Sequence, residues 1–313
     1  MEKVLYLVIP CYNEEEVLPI TSKEVKKKLE TLIKSKTISK DSKILFVNDG
    51  SKDKTWEIIT KLCKKDKIYK GVKLSRNRGH QNALLAGLEV ALKYSDIAIS
   101  MDADLQDDIN AIDEMIKENY SGSEIVYGVR SSRKKDTWFK KTTAETYYKL
   151  MSKLGVDLIY NHADYRLLSK KALEKLFHFN EVNMFLRGII PQIGYKSSIV
   201  YYERNERVAG VSKYPLKKMI NFAIDGITSF SIKPLKFITG LGLIISFFSF
   251  IIMIYSLLVK ILGQTVPGWT FITISIWLIG GIQMLCLGVI GEYIGKIYSE
   301  TKNRPRYFIE EEI

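Results

Sequence analysis

Residues 97–107 read IAISMDADLQD: a short run of apolar and small side chains that ends abruptly in Asp102, Asp104 and Asp107. An unbroken apolar run of this length marks a strand buried on both faces, as in a parallel sheet. Working outward, residues 4–9, 43–47, 72–74 and 125–129 are runs of the same kind. The segments between them, 15–35, 54–64, 81–94 and 110–119, carry apolar side chains at helical spacing. Such alternation predicts an α/β domain with a mainly parallel sheet, in which ligands bind beyond the carboxyl ends of the strands. Polar clusters stand at three of those ends: PCYNEE at 10–15, NDGS at 48–51 and DADLQD at 102–107.

Two carboxylates one residue apart at the end of an apolar strand are costly unless a cation or a hydrogen-bond network compensates them. Mg²⁺ suits the position, because it takes one or two carboxylates and fills its octahedron with phosphate oxygens and water. The alternative is that Asp102 and Asp104 cap the helix that begins near Asn110. No GxxxxGK[ST] occurs and no GxGxxG follows a strand, so a P-loop and a dinucleotide fingerprint are both without support. The three cysteines, Cys11, Cys63 and Cys286, form no CxxC pair, which argues against a disulfide scaffold and a structural zinc.

The chain has 313 residues and a formal charge of +12, and its basic residues gather around two long apolar segments. Residues 237–259 and 261–291 are each free of charge, and about 20 apolar residues suffice to cross a bilayer. Gly263, Pro267 and Gly268 mark a turn between them, so the spans, placed at about 237–259 and 269–291, form a hairpin. Lys213, Lys217, Lys218, Lys233 and Lys236 precede it and Lys296, Lys302, Arg304 and Arg306 follow it, against Lys260 alone in the link. The positive-inside rule then puts the α/β domain and both ends in the cytoplasm, in keeping with residues 1–10, which do not read as a signal peptide. Residues 214–231 repeat apolar side chains at helical spacing, either as an amphipathic helix in the membrane interface or as a helix packed on the soluble domain. The resulting division is 1–212, a cytoplasmic α/β domain; 213–234, a juxtamembrane segment; 235–296, the hairpin; and 297–313, a cytoplasmic tail. Gly291 and Gly295 form a GxxxG at the end of the second span, which points to a homo-oligomer. The basic charge surrounds the membrane segments and no RNA-binding motif is present, which argues against nucleic acid as a partner.

The motifs VIPCYNEE (8–15), VNDGS (47–51), SRNRG (75–79) and MDADLQD (101–107) resemble glycosyltransferase family 2 with a GT-A fold. Together with FLRGIIP (185–191), RVAGVSKY (207–214) and the two spans, the chain is similar to membrane-anchored polyprenyl-phosphate glycosyltransferases of the bactoprenol glucosyltransferase type and, more distantly, to dolichol-phosphate mannose synthases. The resemblance implies inverting transfer of a hexose, glucose or N-acetylglucosamine, from a UDP-sugar to undecaprenyl phosphate, with a flippase acting downstream. It implies that Pro10, Tyr12, Glu14, Asp49, Asn77 and Asp102 line the nucleotide-sugar pocket, with Asp49 accepting from the base N–H. For Asp49 the residues alone equally allow an N-cap role after Ser51. By the same resemblance Asp102, Asp104 and Gln106 hold Mg²⁺ or Mn²⁺, and Arg130, Arg133, Arg207 and Lys213 neutralise the phosphates.

Asp164, in HADYRL, matches the acidic position that the family treats as catalytic, together with Asp104. The acceptor is a phosphate monoester with a second pKa near 6, already a dianion at neutral pH, so the chemistry does not demand a strong base. Asp164 either takes the base role, holds Arg166 or orients the sugar. The chain lacks the Gln-x-x-Arg-Trp of processive synthases, since no tryptophan follows an arginine. Two alternatives stand beside the main reading: a noncatalytic membrane-anchored nucleotide-sugar sensor or flippase subunit, and the same enzyme class using GDP-mannose.

Overall fold

The computed structural model describes residues 2–131, 162–181, 185–205, 233–262 and 268–313. The residues expected as the amphipathic segment, apart from 233–234, lie outside that set. Eight strands make one sheet: β1 (Leu5–Cys11), β2 (Lys43–Asn48), β3 (Tyr69–Leu74), β4 (Ile97–Ser100), β5 (Ile125–Arg130), β6 (His162–Ser169), β7 (Ser197–Tyr202) and β8 (Ile309–Glu312). The helices between them are α1 (Leu18–Lys34), α2 (Thr55–Lys65), α3 (His80–Tyr94), α4 (Ala111–Tyr120), α5 (Lys170–Leu176) and α6 (Leu186–Gln192). The order across the sheet is β7-β5-β6-β4-β1-β2-β3-β8.

Strands β4, β1, β2 and β3 are mutually parallel, while β6 enters antiparallel to both β4 and β5. All seven residues of β1 are buried, as its apolar run requires of a strand covered on both faces. Helix α3 lies close on β1 and β2: a Cβ at Gly87 would come within 2.4 Å of Val8 and 2.7 Å of Val47. That close approach sets the height of the α3 amino end above the strand ends.

Three strands, β6, β7 and β8, lie beyond the predicted series, and β6 completes the site. Strand β6 alternates Ala163, Tyr165 and Leu167 with Asp164 and Arg166, and both polar residues are buried. Its register with β4 pairs Ile97 with Ser169 and Ser100 with Arg166, which brings Asp164 to the edge where Asp102 emerges. At the far edge, residues expected to be a tail instead form β8, antiparallel to β3. The Gly71 and Ile313 backbones exchange two hydrogen bonds of 2.9 Å, and Ser75 N–H donates to the Phe308 carbonyl at 3.1 Å.

The second unit is a pair of helices, α7 (Lys233–Ile261) and α8 (Trp269–Thr301), which contain the two predicted spans. Both carry stretches long and apolar enough to cross a membrane. Many of their described large apolar side chains, among them Phe237, Phe247, Phe271, Ile276 and Leu285, are exposed. The 33 residues of α8 extend about 50 Å, beyond the roughly 30 Å of a bilayer core. Its final turns carry Glu292, Lys296 and Glu300 at helical spacing.

Candidate active site

The loops after β1, β2 and β3 are laced together. Past β1, Asn13 adopts φ 54°, its N–H donates to Ser51 Oγ at 3.0 Å, and its side-chain oxygen accepts from Lys52 N–H at 2.9 Å. Glu14 N–H donates to Thr55 Oγ1 at 2.9 Å. Pro10 is buried at the end of β1 and Tyr12 is 41% exposed beside it.

Gly50, at φ 63°, lies against the next loop, where a Cβ would stand 2.5 Å from Asn77 N. Asn77 is exposed. Asp49 is buried, and its two carboxylate oxygens accept from Arg78 N–H at 2.7 Å and Gly79 N–H at 2.9 Å. Burial pushes its carboxyl up and those backbone donors pull it down. Asp49 is not an N-cap, because α2 starts at Thr55 behind Lys54. In this structure the carboxylate serves the 78–79 turn that leads into α3.

After β4 the chain turns through Leu105, at φ 54° and 8% exposed. A leucine in this left-handed region costs roughly 1–2 kcal/mol, the kind of strain found at functional loops. The turn is held from several sides. Asp104 Oδ1 accepts from Gln106 N–H at 3.2 Å, and Thr21 Oγ1 donates to the Ala103 carbonyl at 2.6 Å. Gln106 is expected to contribute an oxygen to a metal; its amide oxygen accepts from Arg204 Nη2 at 2.6 Å, and its carbonyl accepts from Asn205 N–H. The residue anchors the chain after β7, a contact between positions 98 apart that spacing does not reveal.

Asp107 is buried beside it, accepting from Tyr202 Oη at 2.5 Å, with Arg130 Nη2 at 3.5 Å. Burial pushes its carboxyl up to about 6, Asp102 adds to the rise, and Arg130 and Tyr202 oppose it. Arg130, expected on a phosphate, therefore has Asp107 and Tyr202 as neighbours. Arg133, Arg207 and Lys213 lie outside the described residues.

Asp102 keeps 38% of its side-chain surface open while protein atoms crowd it on the other sides. That burial pushes its carboxyl up, His80 and Arg130 pull it down, and Asp164 and Asp104 push it further up. Asp102 is thus short of positive charge, and the Asp102 and Asp104 oxygens are the hard donors that Mg²⁺ or Mn²⁺ prefers. The pair fits a divalent ion. Among the described residues no cluster of three or more His, Cys, Asp or Glu is arranged to hold one, so substrate oxygens and water would complete the shell.

Asp164 faces this pair under a different field. It is 8% exposed and accepts from Arg166 Nη2, from Arg187 Nε at 3.3 Å and from Arg187 Nη2 at 3.2 Å. His80 Nε2 stands 3.5 Å from Asp102 Oδ1 and 3.8 Å from Asp164 Oδ2. Burial raises the Asp164 carboxyl, but Arg187, Arg166 and His80 outweigh it and hold it well below the usual carboxylate range. Of the roles left open for Asp164, the structure displays the pairing with Arg166.

His80 and Arg187 are the functional candidates that the sequence reading passed over. Arg187 sat within the quoted FLRGIIP run, and His80 followed SRNRG directly. Neither has a spacing that links it to Asp164 along the chain.

A parallel sheet closed by an antiparallel β6, with paired carboxylates at the end of β4, defines a GT-A glycosyltransferase domain. The glycosyl transferase family 2 profile matches residues 6–177, and the chain belongs to that family. It is similar to the uncharacterized glycosyltransferase YkoT of Bacillus subtilis, at 54% identity over 99% of this chain and 92% of that protein. The bactoprenol glucosyl transferase of Shigella phage SfX is 40% identical over 97% of this chain and 98% of its own length. Among solved structures there is likeness to glucosyl-3-phosphoglycerate synthase from Mycobacterium tuberculosis, crystallised with Mn²⁺, UDP-glucose and phosphoglyceric acid. There the identity is 14%, the coverage 72% of this chain and 78% of that one, and the TM-score 0.46.

Proposed function

We propose that this glycosyltransferase moves a hexose, glucose or N-acetylglucosamine, from a UDP-sugar to the phosphate of a polyprenyl lipid, undecaprenyl phosphate in a bacterium, at the cytoplasmic membrane face. The observation that carries this reading is the extent of the match: likeness to bactoprenol glucosyl transferases runs over 97% of the chain, the apolar helix pair included. A soluble acceptor would give that pair no purpose, whereas a lipid acceptor has to be met at a bilayer.

The nucleotide lies over the ends of β1, β2 and β3, against Pro10, Tyr12, Glu14 and the Asn77 loop, which Asp49 shapes through Arg78 and Gly79. Asp102 and Asp104 hold the divalent ion, whose chemistry is charge stabilisation on the departing diphosphate. A lone pair of the acceptor phosphate forms the new bond to the anomeric carbon as the bond to the diphosphate oxygen breaks, and the diphosphate leaves with that electron pair. No proton has to be removed from a dianionic acceptor, so Asp164, held ionised by Arg166 and Arg187, orients groups rather than acting as a base. Arg130, Arg133, Arg207 and Lys213 supply positive charge around the phosphates.

The order of the chain supports a hairpin topology. Strand β7 precedes the helix pair, β8 follows it, and both belong to one sheet. If α7 crosses the bilayer, α8 has to bring the chain back, in agreement with the positive-inside count.

The test uses purified protein in detergent with Mg²⁺ or Mn²⁺, undecaprenyl phosphate and, in parallel, radiolabelled UDP-glucose, UDP-N-acetylglucosamine and GDP-mannose. Label is expected to enter the lipid phase from one UDP-sugar. Asp104→Asn should lower that rate by about 10²-fold or more, the size of a lost transition-state charge contact. Transfer from GDP-mannose alone would change the donor, and nucleotide binding without transfer from any of the three would favour a sensor or flippase subunit.

A further inference from the structure

We propose that Arg187 is an acceptor-binding residue: it meets the lipid phosphate with one edge of its guanidinium while Asp164 fixes the other edge. The inference rests on the acceptor being a phosphate, as proposed above.

Asp164 by itself poses a difficulty for such a reaction. It stands at the edge where Asp102 emerges, so an incoming dianion would meet several carboxylates together. The geometry around Asp164 removes the difficulty. One carboxylate is shared by two guanidiniums, and the group of Asp164, Arg166 and Arg187 sums to one positive charge.

The two arginines are not equivalent. Arg166 is 1% exposed, and its Nε and Nη1 are buried with no hydrogen-bond partner among the described residues, so its charge is directed at Asp164 inside the domain. Arg187 keeps 29% of its side chain open, which leaves it as the member of the group that a ligand can reach.

Arg187 is also held in place from two sides. Its Nε and Nη2 bind separate oxygens of Asp164 as a fork, at 3.3 and 3.2 Å. One residue earlier, Leu186 N–H donates to Gln81 Oε1 at 3.3 Å, tying the start of α6 to α3 next to His80. A guanidinium has five N–H donors in a rigid plane, so one edge can be fixed by a carboxylate while another meets a phosphate oxygen. Lysine, a point charge on a flexible stem, cannot do both.

The experiment measures KM for undecaprenyl phosphate and for UDP-glucose separately in the full-length wild type, Arg187→Lys and Arg187→Gln. If another UDP-sugar proves to be the donor in the parallel assay, it replaces UDP-glucose here. UDP binding by calorimetry reports on the integrity of the nucleotide side. Arg187→Lys should raise the acceptor KM about tenfold or more, and Arg187→Gln further, as expected for lost charged hydrogen bonds. The donor KM and the UDP affinity should stay within about twofold on the same grounds, since the nucleotide lies over other strand ends. An unchanged acceptor KM in the folded lysine variant, or a donor KM rising in parallel, overturns the assignment. Wild-type protein that consumes nucleotide sugar without labelling the lipid overturns the acceptor reading itself, and the assignment with it. If Arg187→Gln fails to fold, Arg187→Lys alone decides.

Discussion

Asp107 and Asp164, two buried carboxylates close to the same strand edge, are driven in opposite directions by their surroundings. Asp107 is raised to about 6, burial being the main cause, against about 3.9 for an unfolded aspartate. Its contribution to stability is therefore complete below about pH 4 and is lost as pH rises through about 6. Asp164 is depressed, so its contribution is complete above about pH 4 and is lost as pH falls further. Denaturant unfolding in the presence of a chelator should show Asp107→Asn gaining on the wild type between about pH 4 and 6 and holding level above. For Asp164→Asn the deficit relative to the wild type should shrink only below about pH 4. A difference for Asp107→Asn that is flat across pH 4 to 6 would show that its partners fully offset its burial.

At the level of elements, the site depends on loops that touch and on a strand supplied from far along the chain. Gly50 meets the Asn77 backbone at a positive φ, so Gly50→Ala adds both strain and a clash. It should destabilise the domain by more than about 1 kcal/mol and weaken UDP binding, read by thermal unfolding and calorimetry. Unaltered UDP affinity would place the nucleotide away from this pair of loops. Strand β8 gives the sheet its last ladder, reinforced by Tyr307 Oη on Glu89 at 2.6 Å, Arg306 on the Phe179 carbonyl at 2.6 Å and Lys73 with Glu310 at 3.1 Å. At about 0.5–1.5 kcal/mol net per hydrogen bond, removal of residues 306–313 should cost roughly 3 kcal/mol or more, visible as a lower Tm. A dispensable tail would leave Tm where it was.

For the molecule as a whole, the decisive fact is that one sheet receives strands from both sides of the apolar helix pair. With Cys63 and Cys286 replaced by serine and Cys11 buried, single cysteines at Lys36, Gln264 and Glu311 test the path of the chain. In sealed inverted vesicles an impermeant maleimide should label the Lys36 and Glu311 positions from outside and the Gln264 position only after permeabilisation. Equal labelling of all three would mean that the pair lies along the membrane or away from it.

The sequence alone determined the parallel core, the carboxylates at the end of β4 and the apolar pair, because each is a local pattern. Buried strands read as apolar runs, functional edges as the polar residues that end them, and spans as length without charge. It also marked Asp164 and the FLRGIIP run without linking them. Tertiary structure decided what those residues do to one another. Strand β6 went unread as a strand, and its polar face is buried in the site rather than set in water. The pairing of Asp164 with Arg187, of Gln106 with Arg204 and of β3 with β8 joins residues 23, 98 and about 240 positions apart. Such contacts leave no periodicity in the chain, because they arise only when the sheet closes and buried charges have to find partners.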